Sequence, residues 1–402
     1  MSADAAGLRV LLVADSYPPA RGGAAVSAEH LVDGLTRLGA EVTVVTHGPT
    51  RGWDGNVWRI AGGRVEFLLR LAMEGPQILR RIKPDVIELD GPVGAMLLAQ
   101  SRLAHKPTPP VLSIVHGLVH REMASVKAGR GHSGTSVRPG VGEWMFRTVR
   151  GPLMLALERL RADWSSTVAS VSAEAAREWA RRFHPRVPVS VSENVMDFRS
   201  IPPDRSGHDD LRRKLGLPAG PTLLYAGPMR MVKGFDVLLE AMVLLGHRPD
   251  APTLLVAGTA KDGMAFWNAL VARLGLGSRV RMLGWLTPEV LGEYYIAADV
   301  LAMPSRYETF GRTMAEAMAA GLPVVASRVG GMVDLSDNGR CAVLVAPESP
   351  RELAEAIGSL LDDPARARRL GDAAQQYVRA RLNEDRIVRD RVAVFRGLIA
   401  RR

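Results

Sequence analysis

The chain has 402 residues, 47% of them hydrophobic and 23% charged, which suits a globular protein large enough for two domains of ordinary size. It holds no uninterrupted apolar run of membrane-spanning length, and its single cysteine, Cys341, excludes an internal disulfide and any cysteine-based metal cluster. A net charge of +10 favours anionic partners such as phosphates, nucleic acid or an acidic membrane face, although diffuse surface charge accounts for the same excess.

No positively charged lead-in precedes the apolar run at 10–14, which is too short for a secretion signal, so the cytoplasm is the expected compartment. Residues 8–14, LRVLLVA, read as a strand buried on both faces of a parallel sheet. A turn rich in Pro and Gly follows at 17–23 and ends in Gly22-Gly23. A helix over 24–38 carries Val26, Leu31, Leu35 and Leu38 and stops at Gly39, and a strand is expected at 42–46. This β-α-β unit has its glycine turn at the strand's carboxyl end, where open α/β sheets bind ligands.

The rhythm continues with strand 86–89, helix 93–103 and strand 111–115, which ends at His116-Gly117. Residues 124–142 have five glycines and almost no large apolar residue, and read as a long loop. Residues 143–162 form an apolar and basic helix interrupted near Gly151-Pro152. That composition fits an ordinary helix with one buried side, the favoured reading, and also an interfacial helix at a membrane surface. Strand 168–171 and helix 173–182 complete the first half. The polar, Pro-rich segment 194–221, with one short helix, marks the domain boundary.

The second half restarts with strand 222–225, a glycine loop at 227–234 and helix 235–246. Strands 253–257, 280–283 and 300–302 then alternate with helices 263–274 and 287–297, so the halves are two similar doubly wound α/β sheets. The last helix, about 384–400, is rich in arginine.

The densest stretch is 303–334, MPSRYETFGRTMAEAMAAGLPVVASRVGGMVD. Its loop carries Glu308, Phe310 and Gly311; its helix, 313–320, carries Glu316 and stops at Gly321-Leu322-Pro323. Strand 324–326 and the pair Gly330-Gly331 follow. Two carboxylates thus flank a helix start whose unpaired amides and positive dipole end favour anions. The set suits a ligand with hydroxyls at its ends and phosphates between them. Thr313-x-x-Glu316 also reads as a capping box.

This string resembles the donor site of the retaining glycosyltransferases of family 4, the "group 1" set with the GT-B fold. Their pattern is Pro-Ser-x-x-Glu-x-Phe-Gly, a second Glu eight positions after the first, then Ala-x-x-x-Gly-x-Pro-Val-Val and Gly-Gly. It stands here as Pro304, Ser305, Glu308, Phe310, Gly311, Glu316, Ala317, Gly321, Pro323, Val324, Val325, Gly330 and Gly331. The resemblance implies two Rossmann-like, doubly wound parallel-sheet domains facing across a cleft. Residues 1–198 would bind the acceptor and residues 199–383 the nucleotide sugar, with 384–402 crossing back to the first domain. The loops at 51–65 and 124–142 would serve the acceptor.

Site roles follow from the same resemblance. Lys233 matches the lysine of Gly-Arg-x-x-x-x-Lys-Gly and would stabilise the departing diphosphate; Pro228 stands at the arginine position, and Arg230 is the candidate replacement. Glu308 would contact sugar hydroxyls and Glu316 the ribose hydroxyls, since an ionised carboxylate accepts from two neighbours. Backbone amides of Gly311, Arg312 and Thr313, beside Phe310, would hold the diphosphate, and Trp285 and Leu286 would clasp the base. Gly22 and Gly23 would let bare backbone approach a phosphate or the transferring sugar, and His116 would bond a sugar hydroxyl or orient the reacting centre. Asn194 and Asp197 match a hinge turn in which Val195 replaces a glycine.

The implied reaction is retaining transfer of a hexose-type sugar from a UDP- or GDP-linked donor to an acceptor hydroxyl. Front-face attack, with the diphosphate taking the proton, is the implied mechanism. No metal and no cofactor are implied beyond the donor. The acceptor would be a saccharide, a small molecule or a lipid-linked molecule, with peripheral membrane contact and no nucleic-acid partner. Two other readings stand beside it: a nucleotide-sugar epimerase or phosphorylase on the same fold, and a non-catalytic protein that binds anionic surfaces.

Overall fold

A computed structural model describes residues 5–20, 22–127, 146–202, 204–260 and 263–401. The chain forms two compact units, one of Met1–His120, Trp144–Asp197 and Leu382–Arg402, the other of Arg121–Glu143 and Phe198–Arg381.

The first unit is built on β1 (Arg9–Ala14), β2 (Glu41–Gly48), β3 (Gly52–Asp54), β4 (Val57–Ala61), β5 (Val86–Asp90), β6 (Val111–Val115), β7 (Thr167–Ser170) and β8 (Val189–Val191). Their order is β3-β4-β2-β1-β5-β6-β7-β8, parallel throughout except for β3. Val10 pairs with Val42 on one side and Val86 on the other, and five of the six β1 residues are buried. An apolar run without alternation is what a strand covered by helices on both faces requires. The winding direction reverses between β1 and β5, and that gap is where such sheets bind ligands.

Helix Arg64–Ile82 buries Phe67 and Leu71 against this sheet. A Cβ on its Gly75 would lie 2.2 Å from the Leu97 carbonyl oxygen, so glycine is needed for the close approach. The final helix, Glu384–Ala400, belongs to this unit: Val388 packs into the space left by Gly34, where a Cβ would sit 2.5 Å from it. Arg391 of that helix forms a buried ion pair with Glu88 and donates to Ser192 Oγ at 2.8 Å.

The second unit has six parallel strands: β9 (Thr222–Ala226), β10 (Thr253–Ala257), β11 (Val280–Gly284), β12 (Val300–Met303), β13 (Val324–Ser327) and β14 (Val343–Val345). Their order is β11-β10-β9-β12-β13-β14, with the winding reversal between β9 and β12. Phe235, Leu239, Trp267 and Ile357 are among its buried core residues.

Several expectations need correction. Residues 51–65 are not a loop: β3 and β4 pair there as a hairpin, turned by Gly55 at φ 57°, with Ile60 buried and the Trp53 and Trp58 rings 5.2 Å apart. The expected helix at 93–103 is a tight 3-10 segment, Val93–Leu98, followed by one α turn at Ala99–Leu103, and Gly75 crosses closely over its Leu97 carbonyl. Residues 124–127 end a helix, Val119–Lys127; the rest of the expected loop lies outside the described residues. The basic segment after it is a π turn, Phe146–Arg150, that passes at Gly151-Pro152 into helix Gly151–Trp164.

Candidate functional site

In the second unit the loops leaving β9 and β12 meet at the winding reversal. After β9 the chain makes a short 3-10 turn, Met231–Lys233, and passes through Gly234 at φ 66°. A Cβ on Gly234 would lie 1.9 Å from the Pro304 carbonyl oxygen. Glycine therefore lets the Lys233 turn press onto the loop that follows β12. Arg306 locks the two together. Its backbone N–H donates to Val232 O at 2.9 Å, and its guanidinium donates to both Asp236 oxygens at 2.7 and 2.8 Å. Both side chains are about 95% buried, at 5% and 4% exposure. A paired, hydrogen-bonded charge is tolerated there where a lone one would not be.

This clamp brings Lys233 Nζ to 2.6 Å from Glu308 Oε2. The opposite side of the Glu308 loop rests on the Gly330-Gly331 turn. A Cβ on Gly330 would fall 1.8 Å from the Glu308 carbonyl oxygen, and one on Gly331 2.2 Å from that of Thr309. The Gly331 N–H donates to Glu308 O at 3.1 Å.

Helix Arg312–Ala319 starts at Gly311, φ 95°, and no side chain caps it. The Thr313-x-x-Glu316 capping box is therefore not formed. Glu316 instead accepts from the Tyr295 hydroxyl at 2.9 Å and lies 3.7 Å from the Arg312 guanidinium. Burial raises the Glu316 carboxyl above its ordinary range, against the opposing pull of Arg312 and Tyr295. Tyr295 is itself held well above the usual phenol range by burial and by the Glu316 charge.

Lys233, Glu308, Gly311, Arg312, Thr313 and Glu316 thus come from adjoining segments of one unit, with Phe310 buried beneath them at 5% exposure. Arg230 is exposed at the start of the 3-10 turn. Trp285, 52% exposed, and Leu286 follow the outer strand β11, two strands from β9.

The first unit gathers its own polar groups at the strand ends beside its winding reversal. Gly22, at φ 144°, has open space where a Cβ would point, and Gly23 begins helix Gly23–Arg37. His116, after β6, bonds through Nε2 to Asp90 at the end of β5. Gly91 at φ 144° crosses over Asp15, where a Cβ would lie 2.4 Å from the Asp15 carboxyl carbon. The hinge candidate Asn194 is 7% exposed and accepts from Ser27 Oγ at 3.2 Å, so it anchors to helix Gly23–Arg37.

Sequence reasoning missed Asp90, Arg306 and Asp236. Asp90 carried a signal, an acid at a strand end followed by glycine; Arg306 occupied a variable place in the motif, and its partner lies 70 residues away. Among the described residues no group of three or more His, Cys, Asp or Glu is placed to hold a metal ion, and no helix is long and apolar enough to cross a membrane.

Comparison with known proteins gives two family matches. Residues 21–199 match "Glycosyltransferase Family 4" and residues 220–363 match "Glycosyl transferases group 1". Similar curated proteins include a D-inositol 3-phosphate glycosyltransferase of Streptomyces avermitilis, 34% identical over 278 residues, covering 66% of this chain and 56% of that one. Another, of the same name, from Corynebacterium urealyticum is 35% identical over 197 residues, 47% of this chain and 46% of that one. The chain thus spans about half the length of these relatives.

Among solved structures, sucrose-phosphate synthase from Thermosynechococcus elongatus aligns with a TM-score of 0.77 at 22% identity, over 98% of this chain and 100% of its own. Anabaena HepE in complex with UDP-glucose aligns at 0.73 and 20%, over 97% and 99%. These two likenesses establish the architecture, GT-B.

Proposed function

The chain belongs to the group 1, family 4 glycosyltransferases, and from that premise we propose that it transfers a hexose-type sugar from a nucleoside-diphosphate sugar to an acceptor hydroxyl with retention at the anomeric carbon. The observation that carries this reading is the Lys233–Glu308 pair, 2.6 Å apart, beside a helix start that no side chain caps.

In the proposed reaction the diphosphate lies over the amides of Gly311, Arg312 and Thr313, where the helix dipole favours negative charge. Lys233 exchanges its bond to Glu308 for one to the β-phosphate as that oxygen gains charge, and Glu308, so released, accepts from donor-sugar hydroxyls. Glu316, steadied by Tyr295, accepts from the ribose hydroxyls. Positive charge fixed in advance lowers the barrier to departure because little reorganises during reaction. The acceptor oxygen attacks the anomeric carbon from the face the diphosphate leaves, and the leaving oxygen takes its proton. His116, held by Asp90, bonds a sugar hydroxyl. Lysine and amides supply the positive charge, so chelators should leave the rate unchanged.

Donor and acceptor are narrowed by analogy. HepE's complex makes UDP-glucose the first donor to test, with GDP-hexoses beside it, and the name of the curated relatives makes D-inositol 3-phosphate the first acceptor. The test is product analysis by NMR after incubation with donor and acceptor. A glycoside with the donor's anomeric configuration is expected. An inverted product, an epimerised donor, or an inert donor with tight binding of anionic polymers overturns the proposal.

A further inference from the structure

Away from Lys233 and Glu308, the second unit has a concavity of about 520 Å³ beside the sheet's outer strand β14. Arg328, Arg340, Arg366 and Arg369 line it, over a floor that includes Val343 and Leu370. The four arginines come from three places: the end of β13, the loop before β14, and one face of helix Pro364–Arg381.

Their charge is poorly compensated. Asp337 pairs with Arg340 at 2.5 Å, and Arg366 donates to the Ser359 hydroxyl at 3.3 Å. Asp363 is engaged by the Arg366 backbone N–H at 2.9 Å. Among the described residues no carboxylate lies within 4.0 Å of the Arg328 or Arg369 guanidinium. Helix Pro364–Arg381 has no acid in its first turn and places Arg366 there. The positive end of that helix is already met by the Asp363 carboxylate, so the guanidinium charges themselves are what an incoming anion would neutralise.

We propose that this concavity binds a phosphate-bearing anion, separately from the donor. Guanidinium forks match phosphate oxygens two at a time, which favours phosphate over a simple halide. The volume lies in the range of small-molecule sites, about 300–1,000 Å³, and the mainly polar lining suits the phosphate itself. A nucleic-acid duplex would need a longer stripe of charge than four arginines around one open hollow. The phosphate comes either from a soluble phosphate ester or from a lipid headgroup.

The test uses the full chain with UDP present throughout. Inorganic pyrophosphate is titrated by calorimetry in one arm; in the other, phosphatidylcholine vesicles containing phosphatidic acid are floated with the protein. Each arm compares the wild type with Arg328→Ala/Arg369→Ala, and with Arg351→Ala/Arg368→Ala, which removes the same charge from exposed positions outside the hollow. The first pair should weaken binding at least roughly tenfold, the loss expected for a charged hydrogen bond, with melting temperature and basal turnover unchanged. A loss in the calorimetric arm identifies a soluble ester, and a loss in the vesicle arm a headgroup. No binding by the wild type in either arm, or equal loss in both double variants, overturns the proposal. The readout is a difference in binding between variants, so it stands or falls independently of the transfer reaction.

Discussion

At the scale of single residues, the account makes Lys233 a group whose bond to the donor strengthens as charge develops. Lys233→Ala should therefore cut kcat by about a hundredfold or more, ~3 kcal/mol of barrier, with a smaller effect on donor affinity. Steady-state kinetics beside donor titration checks the split; unchanged kcat would remove the assigned role. Asp90→Asn should lower kcat while leaving donor affinity intact, because it disturbs the ring that Asp90 orients. Glu316 offers a pH test. Its carboxyl is raised above the ordinary 4.5 by burial, so folding favours its protonated form. The stability it contributes is present below about 4.5 and is lost as pH rises through the folded value. Glu316→Gln should accordingly gain melting temperature relative to wild type between acidic and neutral pH. It should also weaken donor binding. The carboxylates and the lysine were legible in the sequence because ligand contact fixes residue type and spacing together. The Lys233–Glu308 bond was not, since nothing in either local pattern states that the two loops touch.

Elements explain how those loops meet. Glycines are the working parts: Gly234 and Gly330 each stand where a Cβ would fall within 2 Å of a carbonyl oxygen, at 1.9 and 1.8 Å. Alternation of apolar runs with amphipathic stretches was enough to place β9, β12 and β13. It could not place β3 and β4, whose short, half-exposed runs lack a clear period. Nor could it find Arg306, since a buried ion pair has no periodicity. Arg306→Met should cost about 3–5 kcal/mol by leaving Asp236 buried and unpaired. Chemical denaturation measures it, and Arg306→Met/Asp236→Leu should recover part of the loss. A single variant as stable as wild type would show that the clamp is not structural.

For the whole molecule, two sheets with separate winding reversals each present polar groups at the strand ends flanking the reversal. That repetition was readable from the order of runs and turns alone, whereas strand order required pairing partners far apart in sequence. In the first unit the final helix closes over β5 through Arg391, whose partner Glu88 is kept above its ordinary range by burial despite the arginine's pull. Arg391→Met should strand that carboxylate and lower the melting temperature. UDP should raise it by mass action, through about 2.7 kcal/mol of added stability at a hundredfold excess over Kd.

The most direct measurement is a structure of the chain with UDP bound. The account predicts diphosphate oxygens on Lys233 Nζ and on the amides of Gly311, Arg312 and Thr313, with the ribose hydroxyls on Glu316. UDP seated elsewhere, with the Lys233–Glu308 bond intact, would contradict it.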